Sequence, residues 1–370
     1  MRLHPLRTGF TALALALVAG PLAADTIYLL DGKSIEDVSV GTETFKEIEY
    51  KEGSKKRTVK TDDVLRIDFS AKSQLVDRAD TAAADGQLFD AIGDLELYVD
   101  GMIEGGKAPR YKWEPAYALN RLVELYTQVG DAEGLIAAAD KLIANAPESR
   151  YVPTAFLSKA EAQYYSGNAK AAGDTLKAFK AVIQGQTLSQ RWQLEQELAA
   201  LVYDAAVKGK TLRDRLDKIS TKAGSQFPRV KNRAEVAIAE SFVEADKDDS
   251  FAKAEPIFRG IVENPKADPG TLAAAYTGLG DCIFRRAVKE SDAKKREALM
   301  TEAVMAYMRV VVVYKDQNRY VPKAMFWAGR VFDESTDSED KDRAQKLYLR
   351  VMREFQGSDW ATEASSFRKR

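Results

Sequence analysis

Cys282 is the one cysteine and His4 the one histidine in a chain of 370 residues. His4 falls in an N-terminal leader segment. The rest of the chain therefore has no imidazole base, no Ser-His or Cys-His nucleophile and no His-bearing zinc site. A lone cysteine closes no intrachain disulfide. Cys282 lies inside a helical stretch and reads as a small buried hydrophobe rather than a reactive thiol. Carboxylates remain, in two runs: Asp246, Asp248 and Asp249, and Asp337, Glu339, Asp340 and Asp342. Paired acids could serve a hydrolase or hold Ca²⁺, but both runs mix with lysine at turns between helices. Neither has the ligand spacing of an EF-hand, so they read as solvated linkers. The basic stretch GSKKRTVK at 53–60 could meet a polyanion or the cell wall, and reads first as a hairpin tip. The expectation is no catalytic residue, no metal and no cofactor.

The leader spans Met1 to Ala24. Arg2 and Arg7 precede a short apolar run from Phe10 to Ala19, and Ala23 and Ala24 stand before Asp25. That order predicts a secretory signal, too short to cross a bilayer as a permanent span. The protein is then expected in the periplasm or cell envelope, soluble after cleavage. Lys and Arg number 55 against 56 Asp and Glu, a net charge of -1. That balance lacks the electrostatic footprint of a nucleic-acid binder, and no transmembrane segment is expected.

Two kinds of element must position whatever binds. Residues 25–70 alternate polar and apolar, with Asp31-Gly32 and Glu52-Gly53 between alternating runs. Such pairs mark hairpins, and about five short strands predict a small all-β domain of SH3-like or Sm-like barrel type. Its thin core should lean on the helical region after it. From about Ser73 the apolar period becomes helical and stays so to residue 370. Leu119, Leu122, Val123 and Tyr126 share one helical face, Gly130-Asp131 breaks it, and Leu135, Ala138, Ala139, Leu142 and Ile143 mark a second helix. Gly167-Asn168 repeats the break 37 residues after Gly130-Asp131. Ala303 and Ala344, Tyr307 and Tyr348, and Val310 and Val351 are each 41 apart. Spacings of this size predict stacked helical repeats.

The phrase Arg-Tyr-Val-Pro occurs at 150–153 and again at 319–322. Both copies fall where the second helix of one repeat hands over to the first helix of the next. Proline suits the first turn of a helix, where its missing N–H would find no partner anyway. The Tyr and Val before it are expected to be extended. The aromatic is expected to fold back on the joint, as Trp360 would in the last repeat. Gly280 and Gly329 occupy matching positions of first helices and should permit close helix packing.

Trp327-x-Gly329, Ala303 with Tyr307, Ala344 with Tyr348 and the Tyr-x-Pro joint resemble the repeats of tetratricopeptide proteins. In detail they are similar to the exported bacterial families of the TolA-binding periplasmic protein and the outer-membrane assembly lipoprotein. The resemblance covers about 73–370, most clearly 114–185 and 272–370. The full signature is nowhere complete, and 187–265 lacks its small residues. The resemblance implies an α-solenoid of about six or seven helix pairs whose concave side, lined by first helices, meets a protein or peptide. Carried across, the facing positions are Tyr117, Asn120 and Glu124, then Leu157, Glu161 and Tyr164, then Thr277, Asp281, Phe326 and Arg330.

These readings converge on a mostly α, exported, non-enzymatic scaffold or adaptor, with a leader at 1–24, a β domain at 25–70 and helical repeats at 73–370. Two alternatives stand beside it. One is a cell-wall or polysaccharide-binding protein that recognises peptidoglycan through the β domain. The other is an envelope hydrolase with two carboxylates, which would need a deep pocket holding both acids.

Overall fold

A computed structural model describes residues 24–103 and 105–368. The segment read as a secretory signal lies outside them except for Ala24. The described chain opens with five strands, β1 (Asp25–Leu29), β2 (Ser34–Glu43), β3 (Glu47–Glu52), β4 (Lys55–Lys60) and β5 (Val64–Asp68). All neighbours pair antiparallel in the order β4-β3-β2-β1-β5. The predicted hairpin at Asp31-Gly32 is present, with Gly32 at φ 86° and the Asp31 carboxylate accepting from Lys33 N at 3.0 Å. The expected barrel stays open in its hydrogen bonds among the described residues, because β4 and β5 are both edges. β4 carries Lys55, Lys56, Arg57 and Lys60, and charge of this kind protects an edge from adding foreign strands.

The sheet does lean on the helices. Ile27, Val38, Ile48 and Ile67 form its core, which Trp113 completes from the stretch before the third helix. The Trp113 ring stacks on Phe69 at 3.5 Å. Phe45, between β2 and β3, leaves the sheet and joins the helical core, its N–H donating to Glu148 O at 3.0 Å.

Fifteen helices follow among the described residues, seven antiparallel pairs and a final cap. The pairs are α1 (Gln74–Ala84) with α2 (Leu88–Ile103), α3 (Glu114–Val129) with α4 (Ala132–Asn145), and α5 (Val152–Tyr165) with α6 (Ala169–Gln186). Next come α7 (Gln190–Val202) with α8 (Gly209–Ala223) and α9 (Pro228–Val243) with α10 (Asp248–Val262). Last are α11 (Pro269–Lys289) with α12 (Ala293–Val313), α13 (Val321–Asp333) with α14 (Ser338–Glu354), and the cap α15 (Asp359–Phe367). The fold is thus an α-solenoid of helical repeats preceded by a small five-stranded sheet. No described helix is long and apolar enough to cross a membrane.

Local chemistry explains the repeat. Gly130 and Gly167 take φ of 76° and 82°, the left-handed turn that ends a helix, and the next residue caps its successor. Asp131 accepts from Gly134 N at 2.9 Å and Asn168 from Ala171 N at 3.1 Å. Proline stands in the first turn of α3, α5, α9, α11 and α13, five of the seven first helices. A Cβ on Gly280 would stand 2.6 Å from the Tyr307 ring, and one on Gly329 2.7 Å from Tyr348. Both tyrosines are fully buried against these glycines, and each bonds an acid of the same first helix: Tyr307 OH to Asp281 and Tyr348 OH to Asp333, both 2.7 Å. Cys282 is buried near Tyr307, and burial pushes its thiol up to about 12.

One expectation about the joints needs correction. The Tyr and Val of both Arg-Tyr-Val-Pro copies are not extended. Tyr151 (φ -84°, ψ -18°) and Tyr320 (φ -105°, ψ -28°) are helical caps, and Val152 and Val321 are the first helical residues. A tight turn delivers the chain straight into the helix: Val152 N donates to Ser149 O at 3.0 Å and Val321 N to Gln317 O at 3.1 Å. Those bonds outweigh the mild bias of a residue before proline. The acidic runs do fall at the turns between helices, but they run on into the helix starts: Asp246 lies in the turn before α10, which begins at Asp248. Asp337 caps α14 by accepting from Glu339 N at 2.9 Å, and Glu339 and Asp340 occupy its first turn, where the helix dipole favours acids.

Candidate functional site

The first helices α5, α7, α9 and α11 line one cleft of about 390 Å³. They present their residues in register. Arg191, Glu195, Leu198, Ala199 and Val202 on α7 are spaced as Arg229, Arg233, Val236, Ala237 and Glu240 on α9, each 38 residues on. Within each helix the intervals are four, three, one and three residues, one continuous face of a helix. Thr271 and Ala274 of α11 continue two of these rows, as do Leu157 and Glu161 of α5. The rows form rungs: Arg191 with Arg229, Glu195 with Arg233, and Leu198 with Val236 and Ala274.

The rungs differ in charge. Glu195 is 5% exposed and holds Arg233 at 2.6 Å, a closed pair. Arg191 and Arg229 have no ion pair with a carboxylate among the described residues. Arg191 lies over the Trp192 ring at 4.6 Å. Burial pulls its pKa below the usual guanidinium value, and the nearby Arg229 and Arg233 act in the same direction, against the attraction of Glu195 and of Asp62 at the base of β5. At the other end of α9, Glu240 lacks a hydrogen-bond or ion-pair partner among the described residues. Burial raises its pKa, and Arg319 and Lys323 oppose the rise.

The fourth wall is a surprise of tertiary structure. Residues 316–320, the turn carrying the second Arg-Tyr-Val-Pro, cross the mouth of the cleft. Arg319 Nη1 donates to Glu161 Oε1 at 3.1 Å and its guanidinium lies 4.4 Å over Tyr165. The Asn318 amide donates to Gln128 O at the end of α3. The array therefore curls until its sixth joint touches its second and third repeats. The first copy behaves alike. Arg150 stacks 4.7 Å over Tyr151 and reaches Glu43 of the sheet at 2.5 Å, as Arg319 stacks 4.9 Å over Tyr320 and reaches Glu161. In both copies the arginine ties its joint to a glutamate far off in sequence.

Leu157 and Glu161 are the two sequence-predicted residues that line this cleft. Tyr117 donates to Asp80 at 2.7 Å and packs on Phe69 and Trp113, fastening the sheet. Asn120 is buried and donates to Glu124 at 2.8 Å. Tyr164 packs on Tyr203, with ring centres 5.1 Å apart. Thr277 and Phe326 are 2% and 3% exposed and lie inside the core: Thr277 donates to Ala273 O within α11, and Phe326 packs on Tyr348 of α14 and on Trp360 and Phe367 of the final cap. Asp281 is committed to Tyr307 and to Lys323, the latter at 2.7 Å. Arg330 lies over Phe367 of α15 at 4.2 Å. Arg191, Trp192, Glu195, Arg229, Arg233 and Glu240 were missed. Their signal was present in the 38-residue register, but this stretch lacks the small residues by which the other repeats are recognised.

The chain matches no protein-family model and no curated protein. Among solved structures it is similar to a circular tandem repeat protein with novel repeat topology and enhanced subunit contact surfaces. The match has 13% identity and a TM-score of 0.21, over 80% of this chain and 72% of the other.

Proposed function

We propose that this protein is an exported, non-enzymatic adaptor of the tetratricopeptide type, led out by residues 1–24. It holds a protein or peptide partner in the periplasm or cell envelope through the inner face of its solenoid. The cleft carries this reading: four first helices in register present a ladder of side chains whose spacing is set by the repeat. Stacked repeats hold those side chains in place before the partner arrives, which lowers the ordering cost of binding. Glu161 and Glu195 are each matched to an arginine, an arrangement suited to holding shape and charge rather than to acid-base work at two free carboxyls.

A photo-crosslinking residue in place of Leu157, compared with one at the exposed outer position Met305, tests the proposal in intact cells. A discrete adduct at 157 that is missing at 305 is the expected result. Adducts at both positions or at neither would refute a partner site in the cleft. Cell fractionation with N-terminal sequencing checks export, and Met1 retained on the native protein would contradict it.

The β domain supports a second reading, an anionic cell-wall polymer. Lys51, Lys56, Arg57 and Lys112 gather beside a shallow cleft of about 490 Å³ on the sheet. Sedimentation with isolated sacculi, before and after Lys56→Glu with Arg57→Glu, separates this reading from the first.

A further inference from the structure

We propose that the outer face of α2 docks a basic amphipathic helix, one of whose large apolar side chains enters a notch at Gly93 between Phe89 and Leu97. The surface lies on a second helix, apart from the cleft, and stands independently of the adaptor reading. α2 buries Ala91, Ile92, Leu95, Tyr98 and Val99 against its neighbours. Phe89 and Leu97 point the other way, 77% and 63% exposed, and Phe89 is the most exposed large hydrophobic side chain among the described residues. Four-residue steps put Phe89, Gly93 and Leu97 on one face of the helix. Exposed apolar groups gathered in this way mark contact sites.

Gly93 turns the stripe into a notch. Glycine weakens a helix interior, and no packing requires it here, since a Cβ would meet nothing within 4 Å. Gly173 and Gly260 also sit within helices with open space around them. The residues four positions away are Ala169 and Lys177 for the first, Pro256 and Asn264 for the second. Of the three, Gly93 alone leaves its gap between two exposed apolar side chains, a hole that a single Leu or Phe of a partner would fill.

The charges around the notch name the partner. A shallow groove of about 730 Å³ surrounds it, lined by Asp90, Asp94, Glu96 and Asp100 against one cation, Arg78. Asp94 holds Arg78, Glu96 accepts from Tyr126 OH, and Asp100 accepts from Lys141 Nζ at 3.2 Å. Asp90 has no ion pair among the described residues. Asp90 and Asp94 run down one side of the stripe and Glu96 and Asp100 down the other, each pair about 6 Å apart along the axis. A helix with Lys or Arg four residues apart on both sides of an apolar row repeats that spacing. The acids repel nucleic acid and anionic lipid headgroups alike, and a wholly apolar partner would strip water from them with nothing in return.

The test follows, by fluorescence anisotropy with the full purified protein, a labelled helical peptide, acetyl-Ala-Ala-Leu-Lys-Ala-Lys-Leu-Lys-Ala-Lys-Leu-Lys-Ala-Ala-amide. Two counterparts replace every Leu with Ala or every Lys with Glu. The parent peptide should bind saturably and at least about tenfold tighter than either counterpart. Gly93→Ala puts one methyl in the notch and favours the helix, so weaker binding cannot come from unfolding. It should loosen the peptide at least about fivefold. Gly173→Ala, the same exchange at the open glycine of α6, should leave the affinity unchanged. Asp90→Asn with Glu96→Gln should remove most of the preference for Lys over Glu. Absence of saturable binding would overturn the proposal. So would equal affinity for the Ala counterpart, which would leave charge acting alone, or full affinity in Gly93→Ala, which would place the contact elsewhere. Flotation of the protein with phosphatidylcholine vesicles, lost in Phe89→Ser, would mark a lipid contact instead and overturn it as well.

Discussion

Glu43 lies buried between the sheet and the first Arg-Tyr-Val-Pro joint, where burial lifts its carboxyl from 4.5 to about 7, against the attraction of Arg150. A carboxyl whose folded pKa is raised favours folding while protonated. Its contribution is complete below about 4.5 and is lost as pH climbs through 7. The lift corresponds to about 3 kcal/mol. Glu43→Gln should therefore match the parent near pH 4.5 and exceed it in melting temperature near pH 8. A variant less stable than the parent at pH 8 would mean that the ion pair outweighs desolvation. Gly280 offers a steric counterpart. Gly280→Ala would drive a methyl into the Tyr307 ring, already locked by its bond to Asp281. It should cost about 1–3 kcal/mol, against about 1 kcal/mol for Tyr307→Phe, which removes the hydrogen bond alone. Urea denaturation of both variants checks the order; Tyr307→Phe proving the worse would refute the packing account.

At the level of elements, the joint is the unit of construction. Each Arg-Tyr-Val-Pro copy combines a turn, a proline in the first helical turn and an arginine stacked on its own tyrosine. The arginine reaches a glutamate elsewhere: Glu43 in one copy, Glu161 in the other. Tyr320→Ala should cost about 2–4 kcal/mol, the range for removing a buried aromatic, toward its lower end because the ring also faces the cleft. Repeats couple through neighbours, so hydrogen exchange should quicken over about 300–370. It should also quicken at 122–128 and 154–165, which this joint touches through Asn318 and Arg319. The sheet at 25–70 should keep its protection. Loosening confined to the C-terminal repeats would show that the crossing contacts carry no weight.

For the molecule as a whole, those contacts set how tightly the solenoid curls. Arg319 and Glu161 are each about one-third exposed, at 33% and 39% of their side chains. Such a pair contributes less than about 1 kcal/mol and is screened by salt. The stack of Arg319 on Tyr165 adds a contribution of similar size. Arg319→Ala should therefore relax the curl without unfolding any repeat. Small-angle X-ray scattering should record a larger radius of gyration, with the circular dichroism spectrum unchanged. In the parent, 1 M salt should shift the radius in the same direction. An unchanged radius in the variant would show that the curl is set by repeat geometry alone.

The solenoid and its joints could be read from the sequence because they rest on local sterics. Only glycine turns easily at Gly130 and Gly167, Asp131 and Asn168 cap the second helices, and proline starts the first ones. Gly280 and Gly329 mark where tyrosines of the second helices press close. The five strands follow from alternation and from turns such as Asp31-Gly32. The cleft was not legible in the same way. Its residues lie in the stretch without small-residue signals, and their common 38-residue register stands out only once α7 and α9 are side by side. Thr277 and Phe326 were expected on an open face and lie inside. The pairing of Arg319 with Glu161, 158 residues apart, depends on curvature. Curvature is the sum of small rotations between successive repeats, and no local pattern of residues records that sum.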